Sequence, residues 1–237
     1  MKVISGVYWD KGKRDANQDS LILEQVLTKK GRVVLAAVCD GIGGLKEGEV
    51  ASGFIAERLR EVFYDELIGL VVKGKSRKKI EKCFLRCCFE INDALQCYGE
   101  GKGVLLGATM SVLLLWKGHY MTVHLGDSRI FCLAGKKSVR QITKDHRRSN
   151  NTLTKCMGSF AYQKPDVVCK RRRGKKAFLL CSDGFYRCIS DKMFADSLMP
   201  GQVKEERQIA KRLKELAAYS LKKGERDNMS AVYLLCR

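Results

Sequence analysis

A chain of 237 residues with 45% apolar side chains is long enough for one large mixed domain and too apolar for a disordered one. Eleven cysteines, an odd count with no Cys-x-x-Cys pair and no signal-peptide core after Met1, argue against a disulfide framework and a thiolate zinc site, and the expected compartment is the cytoplasm. The formal net charge of +19 attracts anions, while no apolar run reaches the roughly 20 residues of a membrane span, so no membrane partner is expected.

Apolar patterning places the first strands at residues 3–8, 21–27 and 33–39, with Thr28-Lys29-Lys30-Gly31-Arg32 as a hairpin turn. The run 33–39 has no polar member and suits a strand buried on both faces. Helical spacing follows. Val50, Phe54, Ile55, Leu59, Val62 and Phe63 form one apolar stripe. Ile80, Phe84, Cys87, Cys88, Ile91, Leu95 and Tyr98 form a second, behind Ser76 as a candidate N-cap. Strands are then predicted at 109–116, 120–125, 130–133, 139–142, 167–170 and 177–181, helices at 191–198 and 204–221, and a last strand at 229–235. This order lacks the regular alternation of a doubly wound sheet. It fits the α+β class, with antiparallel sheets and helices packed outside. No linker or repeat divides the chain, so one domain is expected over residues 1–237.

Five aspartates carry the chemistry. Asp19, Asp40, Asp127, Asp183 and Asp227 each stand where an apolar strand gives way to a turn or a glycine. Carboxylates brought together repel, and the usual remedy is a hard divalent cation with oxygen ligands. Asp40, at the end of the most apolar strand, could bridge two cations, with the following glycines leaving a backbone carbonyl and room for water. Asp183 and Asp227 could complete one cation's shell. Two such ions, roughly 3.5–4 Å apart, would lower the pKa of a shared water and stabilise an in-line displacement. That is phosphate-ester hydrolysis without a protein nucleophile. Arg14 is the natural phosphate clamp, because its planar fork pairs bidentately with phosphate oxygens. Each Asp-Gly alone is common in turns; the force lies in having several in order.

The ordered set Arg14-x-x-Asn17-Gln18-Asp19, Asp40-Gly41-Ile42-Gly43-Gly44, Gly107-Ala108-Thr109, Gly126-Asp127-Ser128-Arg129, Thr143-Lys144-Asp145-His146, Ser182-Asp183-Gly184 and Asp227-Asn228-Met229-Ser230 resembles the metal-dependent type 2C protein phosphatases, the PPM family, particularly the small bacterial members. The resemblance implies a central sandwich of two antiparallel β-sheets flanked by pairs of α-helices. It implies a dinuclear Mn²⁺ or Mg²⁺ site in which Asp40 bridges both ions, the Gly41 carbonyl binds one, and Asp183 and Asp227 hold the other. Gln18 and Asp19 would order the second ion's shell, and Arg14 would hold the substrate phosphate. The implied substrates are phosphoserine and phosphothreonine in proteins, made by a cognate Ser/Thr kinase. A monomer is expected.

Three departures bear on these expectations. Gln18 stands where many members have Glu, which weakens the second ion's shell. Arg187 stands where bacterial members often carry another Asp, so a third ion at Asp127 is doubtful and Asp127 reads equally as a turn residue. The region near 146–166 is short where relatives carry a longer flap, which should leave the site more open. His146 reads as structural rather than as a general acid. The runs 73–79 and 170–176 are dense in Lys and Arg and are expected to contact acidic surfaces. Arg171–Arg173 are expected to hold an acidic phosphopeptide. Few aromatics interleave with them, so nucleic acid is not indicated. The alternative to an enzyme is a catalytically weak phosphoprotein-binding regulatory module on the same fold.

Overall fold

The structure, a computed structural model, describes residues 2–42, 47–135, 137–148 and 152–237. Gly43 and Gly44 of the glycine motif, and residues 149–151 of the short segment, lie outside them. Among the described residues, ten strands form two antiparallel sheets, ordered β1-β10-β9-β6-β7 and β2-β3-β4-β5-β8. The first contains β1 (Val3–Asp10), β6 (Arg129–Ala134), β7 (Ser138–Gln141), β9 (Lys176–Cys181) and β10 (Met229–Cys236). The second contains β2 (Asp19–Thr28), β3 (Gly31–Asp40), β4 (Met110–Trp116), β5 (His119–Leu125) and β8 (Asp166–Arg171).

Strand β3 shows why its sequence does not alternate. Val34, Ala36 and Val38 pack into the layer between the sheets with Leu113, Leu115, Phe178 and Val232. Val33, Leu35, Ala37 and Cys39 face the other way, onto Ile55, Leu59, Phe84 and Cys88 of the helices. Both faces are therefore dry, and the run is apolar throughout. Helices α1 (Gly48–Val62), α2 (Ile68–Val72) and α3 (Arg77–Lys102) cover this sheet. Helices α4 (Asp183–Tyr186), α5 (Asp191–Leu198) and α6 (Glu206–Lys222) cover the other. The result is the α+β sandwich with a helical layer on each side.

The first helical stripe runs further than its pattern indicated. A π-helical turn over Phe63–Leu67 joins α1 to α2, so that Phe63 and Leu67 both stay buried. Ser76 has the extended backbone of an N-cap, but its hydroxyl makes no capping hydrogen bond. Helix α4 went unpredicted because one turn of four residues is too short to show a period.

The ladders fix which strand ends share a pole. Asp40 and Asp19 are register partners, as are Met110 and Leu125, Arg129 and Cys181, and Asp10 and Met229. Those ends form one pole. The turns at 28–31, 117–118 and 171–176 form the other. No helix of the described residues is long and apolar enough to cross a membrane.

Candidate active site

Backbone pairing brings the aspartates together. Asp40 ends β3, where its N–H donates to Thr109 Oγ1 at 3.1 Å and its carbonyl accepts from Thr109 N at 2.8 Å. The Thr109 and Ser128 hydroxyls lie 2.7 Å apart, tying this corner to the strand that follows Asp127. Beside it, Ser182 Oγ accepts from Ser230 N at 2.9 Å and Ser182 N donates to Ser230 O at 3.0 Å. That latch sets Asp183, the first residue of α4, next to Asp227. Asn228 staples the N-terminal loop to the same place. Its amide donates to the carbonyls of Lys11 and Ala16, both at 2.9 Å, and its Oδ1 accepts from Gln18 N at 2.9 Å.

Two glycines permit the crowding. A Cβ on Gly41 would lie 2.6 Å from Gly48 O and 2.7 Å from Gln18 O. A Cβ on Gly184 would lie 2.3 Å from Asn228 O. No side chain fits at either position.

A cleft of about 430 Å³ opens here, lined by Arg14, Gln18, Asp40, Gly41, Thr109, Asp127, Asp183, Asp227 and Asn228. Of the sequence candidates, only Asp19 is missing from its wall. Asp19 is 2% exposed and sits behind Asp40, with neither carboxylate oxygen hydrogen-bonded. Burial pushes its pKa up to about 6; the nearby Ser230 and Ser182 hydroxyls pull it down, and Asp183 and Asp227 raise it again. Asp40 is pushed well above the carboxylate range by desolvation, then by Asp19, Asp183, Asp127 and Asp227. Asp127 rises to about 6 through burial and Asp183, with Arg147, 3.8 Å away, opposing. Asp183 rises through burial, opposed by Arg187.

The cations facing these carboxylates are guanidiniums. Arg14 makes a bidentate contact to Asp227, Nε–Oδ1 at 3.0 Å and Nη2–Oδ2 at 3.2 Å. Arg187 bonds the Asp183 carboxylate and, at 3.1–3.2 Å, both oxygens of Glu225. Glu225 is 7% exposed and also accepts from the N–H groups of Arg226 and Asp227. Arg187 and Glu225 thus link the two segments that carry Asp183 and Asp227. Among the described residues, no three His, Cys, Asp or Glu side chains close on one point as a ready metal cage. The donor set still fits a hard cation. It is all oxygen, it is held by rigid strand ends, and it leaves the buried Asp19 oxygens orphaned.

Arg187→Ala should lower stability by about 1–3 kcal/mol, because the buried Glu225 loses its cation. A thermal melt checks this, and Glu225→Gln in the same background should recover part of the loss.

Several residues were not singled out from sequence. Gln18 Nε2 donates to Glu49 at 2.9 Å, so a carboxylate does stand near Gln18, supplied from the first turn of α1. Ile42, Leu105, Thr152, Leu153, Ser159 and Phe160 form the remaining wall of the cleft. The wall segment is pinned to α3 by Asn92 Oδ1, which accepts from Gly158 N at 2.9 Å, and by Gln96 Nε2, which donates to Phe160 O at 3.0 Å. His146 lies outside the cleft. It accepts from Gly126 N through Nδ1, contacts Asp166 through Nε2 at 3.1 Å and stacks on His124. Arg171 lies at the opposite pole, since it pairs with His119 at the far end of β5, and its own strand β8, six residues long, spans about 20 Å. It and its neighbours are out of reach of a short peptide seated in the cleft.

Residues 12–231 match the family model described as Protein phosphatase 2C. The chain is 29% identical over 217 residues to the serine/threonine protein phosphatase PstP of Mycobacterium tuberculosis, an alignment covering 84% of this chain and 39% of that protein. The chain therefore spans well under half the length of that relative. Stp1 from Staphylococcus aureus, a serine/threonine phosphatase, superposes with a TM-score of 0.84 at 22% identity, covering 100% of this chain and 96% of that one. The catalytic domain of PstP in complex with two manganese ions superposes with a TM-score of 0.79 at 25% identity, covering 99% of each chain.

Proposed function

The chain belongs to the protein phosphatase 2C family, and from that membership we propose that it hydrolyses phosphoserine and phosphothreonine in proteins at a dinuclear Mn²⁺ or Mg²⁺ site. The observation that carries this reading is the meeting of Arg14, Asp40, Asp183 and Asp227, far apart in sequence, on one cleft. Asp40, the Gly41 carbonyl, Asp183 and Asp227 would hold the ions, with Gln18 and the buried Asp19 behind them. When bound, such a pair supplies charge neutralisation at the phosphoryl oxygens and a more acidic water.

The chain's own residues supply the rest. Arg14 is half-exposed at the mouth, and its fork would move from Asp227 to the substrate phosphate. Among the described residues no histidine lines the cleft, so none of them offers an imidazole to protonate the leaving oxygen. Arg187 supplies a fixed positive charge where a third ion would need a ligand, and Asp127 is left to Arg147. The apolar wall of Leu105, Leu153 and Phe160 would receive side chains flanking the phosphorylated residue. Residues 1–237 are read as one PPM-type domain with a shortened flap near 146–166. The expected substrates are products of a Ser/Thr kinase in a reducing compartment, consistent with eleven free cysteines.

The test is hydrolysis of p-nitrophenyl phosphate and a phosphopeptide. Activity should require Mn²⁺ and vanish with EDTA. Arg14→Ala should raise KM for the phosphopeptide about ten-fold or more, the equivalent of one lost charge-assisted contact. Turnover that persists in EDTA would overturn the reading. The catalytically weak module is favoured by one feature, the Arg187 grip on Asp183. It expects phosphopeptide binding without Mn²⁺-dependent turnover.

A further inference from the structure

The positive charge of this chain is gathered at one pole. Segments 28–32, 73–79, 117–118 and 170–176 with Lys137 hold 16 of the 45 basic residues and none of the 26 acidic ones, which leaves 29 against 26 elsewhere. The strand turns among them share the pole opposite the cleft because their ladders end together: His119 pairs with Arg171, Trp116 with His119, and Arg172 N donates to Gly118 O at 2.7 Å. The run 73–79 joins them by a different route. The helical stretch from Gly48 begins against Gly41 beside the cleft and ends at Val72. Its 25 residues carry the chain about 37 Å away. Arg77 then meets Cys169, two residues before Arg171.

Lys29, Lys30, Lys117, Arg171, Arg173 and Lys175 are exposed there, and none has an ion-pair partner among the described residues. The pole is made of turn tips. No aromatic residue occurs in its segments, so it offers no platform for stacked bases. Leu27, 75% exposed and the most exposed large apolar side chain described, stands at its rim beside Lys29 and Lys30. Clustered cations around an apolar tip are the chemistry of an anionic bilayer interface.

We propose that this basic pole docks the protein on an anionic lipid surface, with Leu27 entering the headgroup layer and the cleft facing away. Hydropathy along the sequence detects spans, not loop tips that meet only in the fold, which is why no membrane partner was expected from it. The proposal is independent of the reaction assigned to the cleft.

The test is co-sedimentation with vesicles of phosphatidylglycerol in phosphatidylcholine, against phosphatidylcholine alone. The wild type should pellet with the anionic vesicles and be released as salt is raised. The quadruple variant K29E/K30E/R171E/R173E should lose binding at least about ten-fold, since each reversed cation turns an attraction to the anionic surface into a repulsion. The control K102E/K211E/K214E/K222E carries the same charge change on exposed helix positions and should lose less than about three-fold. Leu27→Ser should weaken binding without changing its salt dependence. All variants should keep the wild-type thermal melt, which reports that they fold whatever the cleft catalyses. Equal losses in the pole and control variants would reduce the effect to bulk charge and overturn the proposal. So would equal pelleting with neutral vesicles, or equally strong binding of duplex RNA or an acidic peptide lost in the same pole variant.

Discussion

Asp40→Asn should abolish turnover while making the metal-free fold more stable. The two effects have one cause. The Asp40 carboxylate is desolvated at the end of β3 and faces Asp19, Asp183, Asp127 and Asp227. Its charge is therefore a cost to folding, tolerated in the proposed reading because cations need it. Asparagine keeps the shape and an oxygen but removes the charge, so the like-charge repulsion goes with it. The expected loss in kcat is about 10²–10⁴-fold, the equivalent of the several kcal/mol that a correctly held metal pair contributes. Relief of about 1–3 kcal/mol in EDTA corresponds to a rise in Tm of roughly 2–10 °C for a chain of this size. The variant should also lose the Tm gain that Mn²⁺ gives the wild type. An Asp40→Asn protein that melts lower than wild type in EDTA, and still responds to Mn²⁺, would remove Asp40 from the proposed ion site.

The Tm gain from Mn²⁺ should itself grow steeply as pH rises from about 4 to above 6. Asp19 and Asp127 move from 3.8 to about 6 on folding, chiefly through burial. The native state thus holds these protons more tightly than the unfolded chain. Their stabilising effect is complete below about pH 4 and is lost as pH rises through about 6, at roughly 1.4 kcal/mol per pH unit for each group. Above that range the cluster is ionised, and a bound cation has most to offset. Two histidines act with the opposite sign. His124 is pushed down to about 4, first by burial and then by His146, and His146 is also lowered by burial. Neutral in the fold and charged in the unfolded chain, they add stability as pH rises towards 6.5 and nothing further above it. They lie outside the cleft, so their effect is common to samples with and without Mn²⁺ and cancels in the difference. Differential scanning across this pH range, in EDTA and in Mn²⁺, measures it. A gain that stays flat from pH 4 to 7 would mean that the buried carboxylates are not what Mn²⁺ meets.

Strand content and helix periodicity were legible because burial imposes them directly. The run 33–39 is apolar because both faces of β3 are covered, and the α3 stripe is apolar on one side because one side packs. The helix ends were less legible. The π turn over Phe63–Leu67 depends on what the sheet demands of Phe63 and Leu67, and no local signal announces it. In the cleft, the aspartates could be seen because strand ends and glycines have a sequence signature. Glu49 and Glu225 could not, since each is an ordinary acidic residue on a helix turn or loop until the fold sets it against Gln18 or Arg187.

By itself, the sequence determined the residue types available for chemistry: oxygen ligands without a thiolate set, a phosphate-sized guanidinium fork at Arg14, and a surplus of cations. It also determined the strands that would carry them, through a two-residue period where one face packs and a continuous apolar run where two do. Only the tertiary structure decided distances and partners. It put Asp19 behind Asp40 rather than on the cleft wall, gave Asp183 to Arg187, and sent Arg171–Arg173 to the far pole. The physical reason is that antiparallel register couples residues hundreds of positions apart, and Coulomb interactions depend on that separation in space alone.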